Sequence, residues 1–191
     1  MSVGDVMMFR GFIAIKIPFN NEMEAFWSAI KRSGARIKLV EPYNTHITLK
    51  FLGNTAESLI SNIEEIIKNA VKGLQPFEIE LKGSGAFPNP TRPRVVWIGV
   101  REGADILKKI ADTIDREVSK LGFEKERRHF VPHLTVGRVK GSIGALPRVL
   151  ADWANKDFGK VLVDRIFLMK SILRPEGPEY HDVVSVNIGE E

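Results

Sequence analysis

His46-Ile47-Thr48-Leu49 and His133-Leu134-Thr135-Val136 repeat one pattern: histidine, apolar, threonine, apolar. Alternate side chains of an extended strand share a face, so each histidine would lie beside its own threonine with the apolar pair behind. An imidazole, with an ordinary pKa near 6.5, can take or give a proton at neutral pH. Two of them facing one substrate suit in-line displacement at phosphorus, one deprotonating the attacking oxygen while the other protonates the departing one. The threonine hydroxyls can donate to non-bridging phosphate oxygens, where charge gathers in the transition state. That chemistry requires neither metal nor cofactor, and none is expected.

The elements that must position these groups can be read from periodicity. Phe9 to Ile17 is a buried-strand pattern ended by Pro18, and Asn21 with Glu24 suggests a cap for a helix whose face is Met23, Phe26, Trp27 and Ile30. A short strand over Arg36 to Val40 leads to the first motif strand, Thr45 to Leu52, broken by Gly53-Asn54-Thr55. Leu59, Ile60, Ile63, Ile66, Ile67 and Ala70 then mark an amphipathic helix. Strands Phe77 to Leu81 and Val95 to Val100 follow, with a Gly/Pro/Arg loop, 83–94, between them. Ile106 to Leu121 forms another helix face, and the second motif strand runs from His133 to Lys140. A helix after Pro147 and strands Val161 to Met169 and Val183 to Ile188, flanking a second Pro/Gly/Arg loop at 174–179, close the chain.

Motif strand, helix, strand, proline-rich loop and strand thus occur twice. The expectation is an α+β fold with two pseudo-symmetric lobes, each an antiparallel sheet with helices on its outer face and an active-site cleft between them. Residues 1–191 would form a single bilobal domain of duplicated halves, roughly 1–102 and 103–191.

Composition narrows the function class. The chain has no cysteine, so disulfide frameworks, thiolate nucleophiles and cysteine-based metal sites are excluded. No apolar run reaches the roughly 20 residues that span a bilayer, and a cytoplasmic protein without membrane contact is expected. A net charge of +4 favours an anionic ligand without identifying it. Because the duplication supplies a two-fold site within one chain, a monomer is expected.

Arg10-Gly11-Phe12-Ile13-Ala14-Ile15, Asn44-Thr45-His46-Ile47-Thr48-Leu49-Lys50-Phe51-Leu52-Gly53 and Pro132-His133-Leu134-Thr135-Val136-Gly137-Arg138 together resemble the two-histidine phosphoesterase superfamily. More narrowly, the chain is similar to its bacterial and archaeal RNA 2′,3′-cyclic phosphodiesterases, also called 2′-5′ RNA ligases. The resemblance implies hydrolysis of a terminal RNA 2′,3′-cyclic phosphate to a 2′-phosphate, with tRNA fragments among the candidate sources of such ends. It makes His46 the proton donor to the departing 3′ oxygen and His133 the acceptor that activates water, with Thr48 and Thr135 holding the phosphate. By microscopic reversibility the same pair could form a 2′-5′ bond. Arg138 matches a basic position near the phosphate, although strict alternation points it away from His133; a bulge at Gly137 would re-aim it. Lys50 has the parity to share the His46 face and is a second candidate for substrate binding.

Other residues are less telling. His129 and His133 have helical metal-ligand spacing, but Pro132 argues against a helix there, and zinc is not expected. Arg92, Arg94, Arg127, Arg128 and Arg174 sit in loops that could reach phosphates, and Tyr43, Phe51, Phe87 and Phe130 could stack a base, although Phe51 reads as core. His181 reads as a surface residue. Two alternatives stay open: a phosphodiesterase for small cyclic nucleotides, and a non-catalytic module that binds RNA ends.

Overall fold

A computed structural model describes residues 6–190. Nine strands and four helices follow the chain as β1 (Met8–Lys16), α1 (Asn21–Arg32), β2 (Ile37–Leu39), β3 (His46–Ala56), α2 (Ile60–Val71), β4 (Phe77–Phe87), β5 (Val95–Val100), α3 (Ala104–Ser119), β6 (His133–Val139), α4 (Leu146–Asp152), β7 (Asp157–Val163), β8 (Arg165–Arg174) and β9 (Gly177–Asn187). They build two antiparallel sheets, ordered β3-β1-β8-β9 and β2-β6-β5-β4-β7. Helices α2 and α3 pack against the four-stranded sheet, and α1 and α4 against the five-stranded one. The fold is α+β with two sheets, as expected.

The lobes are not the sequence halves. The four-stranded sheet takes β1 and β3 from before residue 102 and β8 and β9 from after it, and the five-stranded sheet is mixed in the same way. Period-two alternation reports which face of a strand is buried, not which strand lies beside it, so pairing partners are invisible to that pattern. The apparent strand Val161 to Met169 is likewise two strands in different sheets, divided at Asp164.

Each sheet buries one face under its helices. On β1, Phe9, Ile13 and Ile15 enter the main core with Phe26, Ile63, Ile67, Ile110 and Ile114. At about 1.5–3 kcal/mol per fully buried large aliphatic side chain, this helix–sheet contact supplies much of the driving force for folding. The opposite face of β1 is also covered: Phe12 and Ala14 join Met169 in a small separate cluster, with Phe167 and Tyr180 against it. That second cluster floors one wall of the cleft and explains why β1 is apolar on both faces from Phe12 to Ile15.

Several boundaries move. Asn20, not Asn21, caps α1, its side chain accepting from the Met23 N–H at 2.9 Å. Gly53-Asn54-Thr55 does not break β3; Gly53, at φ +71°, lets the strand bend and keep pairing with β1 to Ala56. Gly83–Phe87 belongs to β4, where Gly85 lies under the Trp97 indole and leaves no space for a Cβ. The second proline-rich loop shrinks to a two-residue turn, Pro175-Glu176, at the tip of the β8–β9 hairpin.

Candidate active site

β3 and β6 run close to each other where the two sheets meet, beside a cleft that Thr135 and Arg138 of β6 line. Each begins at its motif histidine. Cross-strand pairing places His46 opposite Lys16 and Thr48 opposite Ala14 on one wall. On the other wall His133 lies opposite Gly99 and Thr135 opposite Trp97. The charge of His133 reaches His46, so the fold brings the two motif histidines near each other, and Thr135 lines the adjoining cavity.

Both imidazoles are held in the same way. His46 Nδ1 lies 2.7 Å from the Asn44 carbonyl oxygen, and His133 Nδ1 lies 2.7 Å from that of Val131. A carbonyl can only accept, so each Nδ1 carries a hydrogen and each Nε2 is left for proton transfer. The rings are braced by aromatic neighbours. Phe12 and Tyr180 flank His46 at 5.2 and 5.3 Å between centroids, and Phe87 meets His133 edge-on at 5.1 Å. Burial lowers both histidine pKa values; the carbonyl contacts oppose that fall without cancelling it. The charge of His133 depresses His46 further, and the Arg138 guanidinium does the same to His133.

One device, used twice, decides what else faces the cleft. In β3, Ile13 pairs with Lys50 and Ala14 with Thr48, so Leu49 is an extra residue. In β6, Val96 pairs with Gly137 and Trp97 with Thr135, so Val136 is extra. Both bulges fall three residues after the histidine and reverse the alternation beyond them. Arg138 therefore turns onto the His133 face, where it lines the cleft. Gly137 is required there because a Cβ would come within 2.8 Å of the Lys38 carbonyl oxygen.

In β3 the same reversal overturns two expectations. Lys50 does not share the His46 face; it is buried, its ammonium 2.7 Å from Asp115 Oδ1 on α3 and donating at 2.7 Å to the Glu124 carbonyl. Phe51 is not core but half exposed, on the cleft side, with the Arg10 guanidinium 4.8 Å from its ring centroid. Phe51 and Arg138 are thus the matching residues of the two motifs, one aromatic and one cationic.

Other residues around the cleft carry no role in the sequence reading. Arg10 alternates with Phe12 and Ala14 on β1 and could have been found by parity once β1 was known to pair with β3. Tyr180 comes from the β8–β9 hairpin; burial raises the pKa of its phenol against the pull of Arg138 and Arg10, so it stays a hydrogen-bond donor. The hairpin is tied to β2 of the other sheet and to the entrance of β3 in its own. Lys38 Nζ donates to the Glu176 carbonyl at 2.9 Å and the Asn44 side chain to that of Pro178 at 3.2 Å. Between hairpin, β2 and β6 lies a cavity of about 890 Å³ that reaches Thr135, Arg138 and Tyr180. Tyr43, on its rim, is largely exposed. Among the remaining candidates, Arg174 pairs with Glu179, as does His181, and Phe130 packs against the core.

Two sheets meeting at a pair of histidine–threonine strands, each histidine with Nδ1 tied to a carbonyl and, among the described residues, no hydrogen-bond partner on Nε2, define a two-histidine phosphoesterase architecture. The chain belongs to the 2′-5′ RNA ligase superfamily, whose family model matches residues 19–173. An RNA 2′,3′-cyclic phosphodiesterase of Methanothermobacter thermautotrophicus is 38% identical over 181 residues, covering 93% of this chain and 97% of its own length. One from Methanocaldococcus jannaschii is 43% identical over 175 residues, 90% and 96% of the two chains. Among solved structures, TT0787 of Thermus thermophilus superposes with a TM-score of 0.76 at 26% identity, covering 94% of this chain and 97% of that one.

Proposed function

We propose that this chain is a metal-independent RNA 2′,3′-cyclic phosphodiesterase that opens the cyclic phosphate at an RNA 3′ end and leaves a 2′-phosphate. The observation that carries the reading is the pair of imidazoles, close enough for the charge of one to act on the other, each with Nδ1–H given to a carbonyl and Nε2 left free for proton transfer among the described residues, with Arg138 beside His133. Water attacks phosphorus as His133 Nε2 takes its proton. The P–O3′ bond breaks, and His46 Nε2–H gives its proton to O3′. Arg138 favours an uncharged His133, which suits an acceptor, whereas His46 lies farther from that cation's influence. Thr48, Thr135 and Arg138 hold the phosphate oxygens and meet the charge that develops on them. A 5′-hydroxyl in place of water would give a 2′-5′ bond, but water's high concentration favours hydrolysis.

The names of the relatives support the substrate class. The enzyme works as a monomer, because one chain supplies both proton-transfer groups, and acts on ends such as those of tRNA fragments in the cytoplasm. Among the described residues, no helix is long and apolar enough to cross a membrane.

The test is hydrolysis of a short RNA ending in a 2′,3′-cyclic phosphate, with excess EDTA, by wild type, His46→Ala and His133→Ala. EDTA-resistant formation of a 2′-phosphate is expected, with each variant slower by about 10²–10⁴-fold. Full activity in either variant would refute the assignment of its histidine.

A further inference from the structure

The cleft wall beyond Arg138 carries more positive charge than one cyclic phosphate needs. Lys38 on β2 stands directly opposite Arg138 on β6, on the same face of the sheet. Like charges at directly opposed positions, with Cβ atoms about 4.5–5.5 Å apart, destabilise a strand pair. Lys140 follows Arg138 by two residues just past the end of β6, so it lies about 6–7 Å farther along. All three line the 890 Å³ cavity. Among the described residues none of the three has a carboxylate within 4.0 Å, whereas Arg174 on the same cavity is neutralised by Glu179. Lys38 gives one ammonium hydrogen to the Glu176 carbonyl at the hairpin tip, which fixes its position and leaves its charge uncompensated. A repulsive cluster placed in a cleft and held there by a hydrogen bond indicates an anion that is part of the ligand.

We propose that Lys38 and Lys140 form a second phosphate subsite, occupied by the phosphodiester on the 5′ side of the terminal nucleotide. The inference rests on the reading of the cleft as an RNA 3′-end site and adds to it the place where the next phosphate of the strand is held. Arg138 serves the reacting phosphate next to His133. The step from Arg138 to Lys140 is of the order of the spacing between successive phosphates on a nucleic acid strand. The terminal nucleoside would then bridge the two subsites, with exposed Phe51 and Tyr43 available to its base and to the one before it.

The experiment compares kcat/KM for three substrates: adenosine 2′,3′-cyclic phosphate, the dinucleotide CpA ending in a 2′,3′-cyclic phosphate, and the same dinucleotide with an uncharged methylphosphonate linkage. Wild type should prefer the charged dinucleotide over both others by roughly tenfold, the scale of one charge-assisted contact. Its rate should fall more steeply with salt, by about 0.7 in the log–log slope for the extra phosphate. Lys140→Ala and Lys38→Gln should each shrink the ratio between the charged and uncharged dinucleotides. Lys140 is the cleaner variant, since Lys38 also holds the hairpin. Equal turnover of the charged and uncharged dinucleotides, or an unchanged ratio in Lys140→Ala, would overturn the subsite while leaving the hydrolase reading intact. No turnover of any of the three by wild type would refute the hydrolase reading and the subsite with it.

Discussion

Strand alternation makes Lys50 a substrate ligand, whereas the bulge at Leu49 makes it a structural tie, and Lys50→Met separates the two. The ammonium is about 5% exposed and Asp115 about 15%, so the pair is largely withdrawn from water. Among the described residues, removing the lysine leaves Asp115 with one remaining donor, the Glu126 N–H at 3.0 Å, and strands the Glu124 carbonyl. Breaking a buried pair from one side costs about 3–5 kcal/mol. Discounting for the residual exposure of Asp115, Lys50→Met should lose about 2–4 kcal/mol. Urea unfolding reads this as a lower midpoint at unchanged m. The double variant Lys50→Met/Asp115→Leu should recover most of the loss, because the stranded charge is gone. The pH dependence carries a sign. Burial pushes the Asp115 carboxyl up, but Lys50, the Glu126 N–H and the nearby charges outweigh it and hold its pKa below the ordinary value. Its contribution is therefore present above the unfolded-state pKa, near 3.9, and is lost as pH falls through the lower folded value. The stability gap between wild type and Lys50→Met should narrow in acid. A variant that unfolds within about 0.5 kcal/mol of wild type (roughly the error of such a comparison) but with a raised KM would refute the bulge and restore Lys50 to the substrate face.

Three further outcomes follow from the cleft. Catalysis needs one histidine protonated and one neutral, and both pKa values lie below 6.5 in the free protein; kcat/KM should rise as pH is lowered from about 8 through 6.5, and a profile flat over that range would contradict the pair. Arg138→Ala should cost about 10²-fold or more in kcat and, by removing a cation beside His133, move the basic group's limb of the profile upward; Arg138→Lys should restore the limb better than the rate, because an ammonium keeps the charge but not the bidentate geometry. Asn44→Ala frees the hairpin from Pro178 while the backbone carbonyl still holds His46, so KM should rise several-fold with the pH profile unmoved; a shifted profile would mean that the side chain also sets the histidine.

The sequence by itself identified the chemistry. Two histidine–threonine pairs at strand spacing, in a chain without cysteine, pointed to paired proton transfer at phosphorus, and the helices announced themselves through apolar residues every three to four positions. These signals are local, fixed by backbone period and side-chain chemistry, and they survive in the structure with boundaries moved by a few residues. What the tertiary structure alone decided is non-local. Strand pairing sets β8 beside β1, with β9 beyond it, and joins β6 to strands from the other half, because hydrogen-bonded neighbours leave no mark in alternation. The two bulges insert one residue each, and that single residue carries Lys50 into the interior, Phe51 out to the cleft and Arg138 onto the His133 face. Tyr180 reaches His46 only because a hairpin distant in sequence folds over it. A strand's period tells which residues share a face only while its pairing stays in register, and here register changes three residues after each motif histidine.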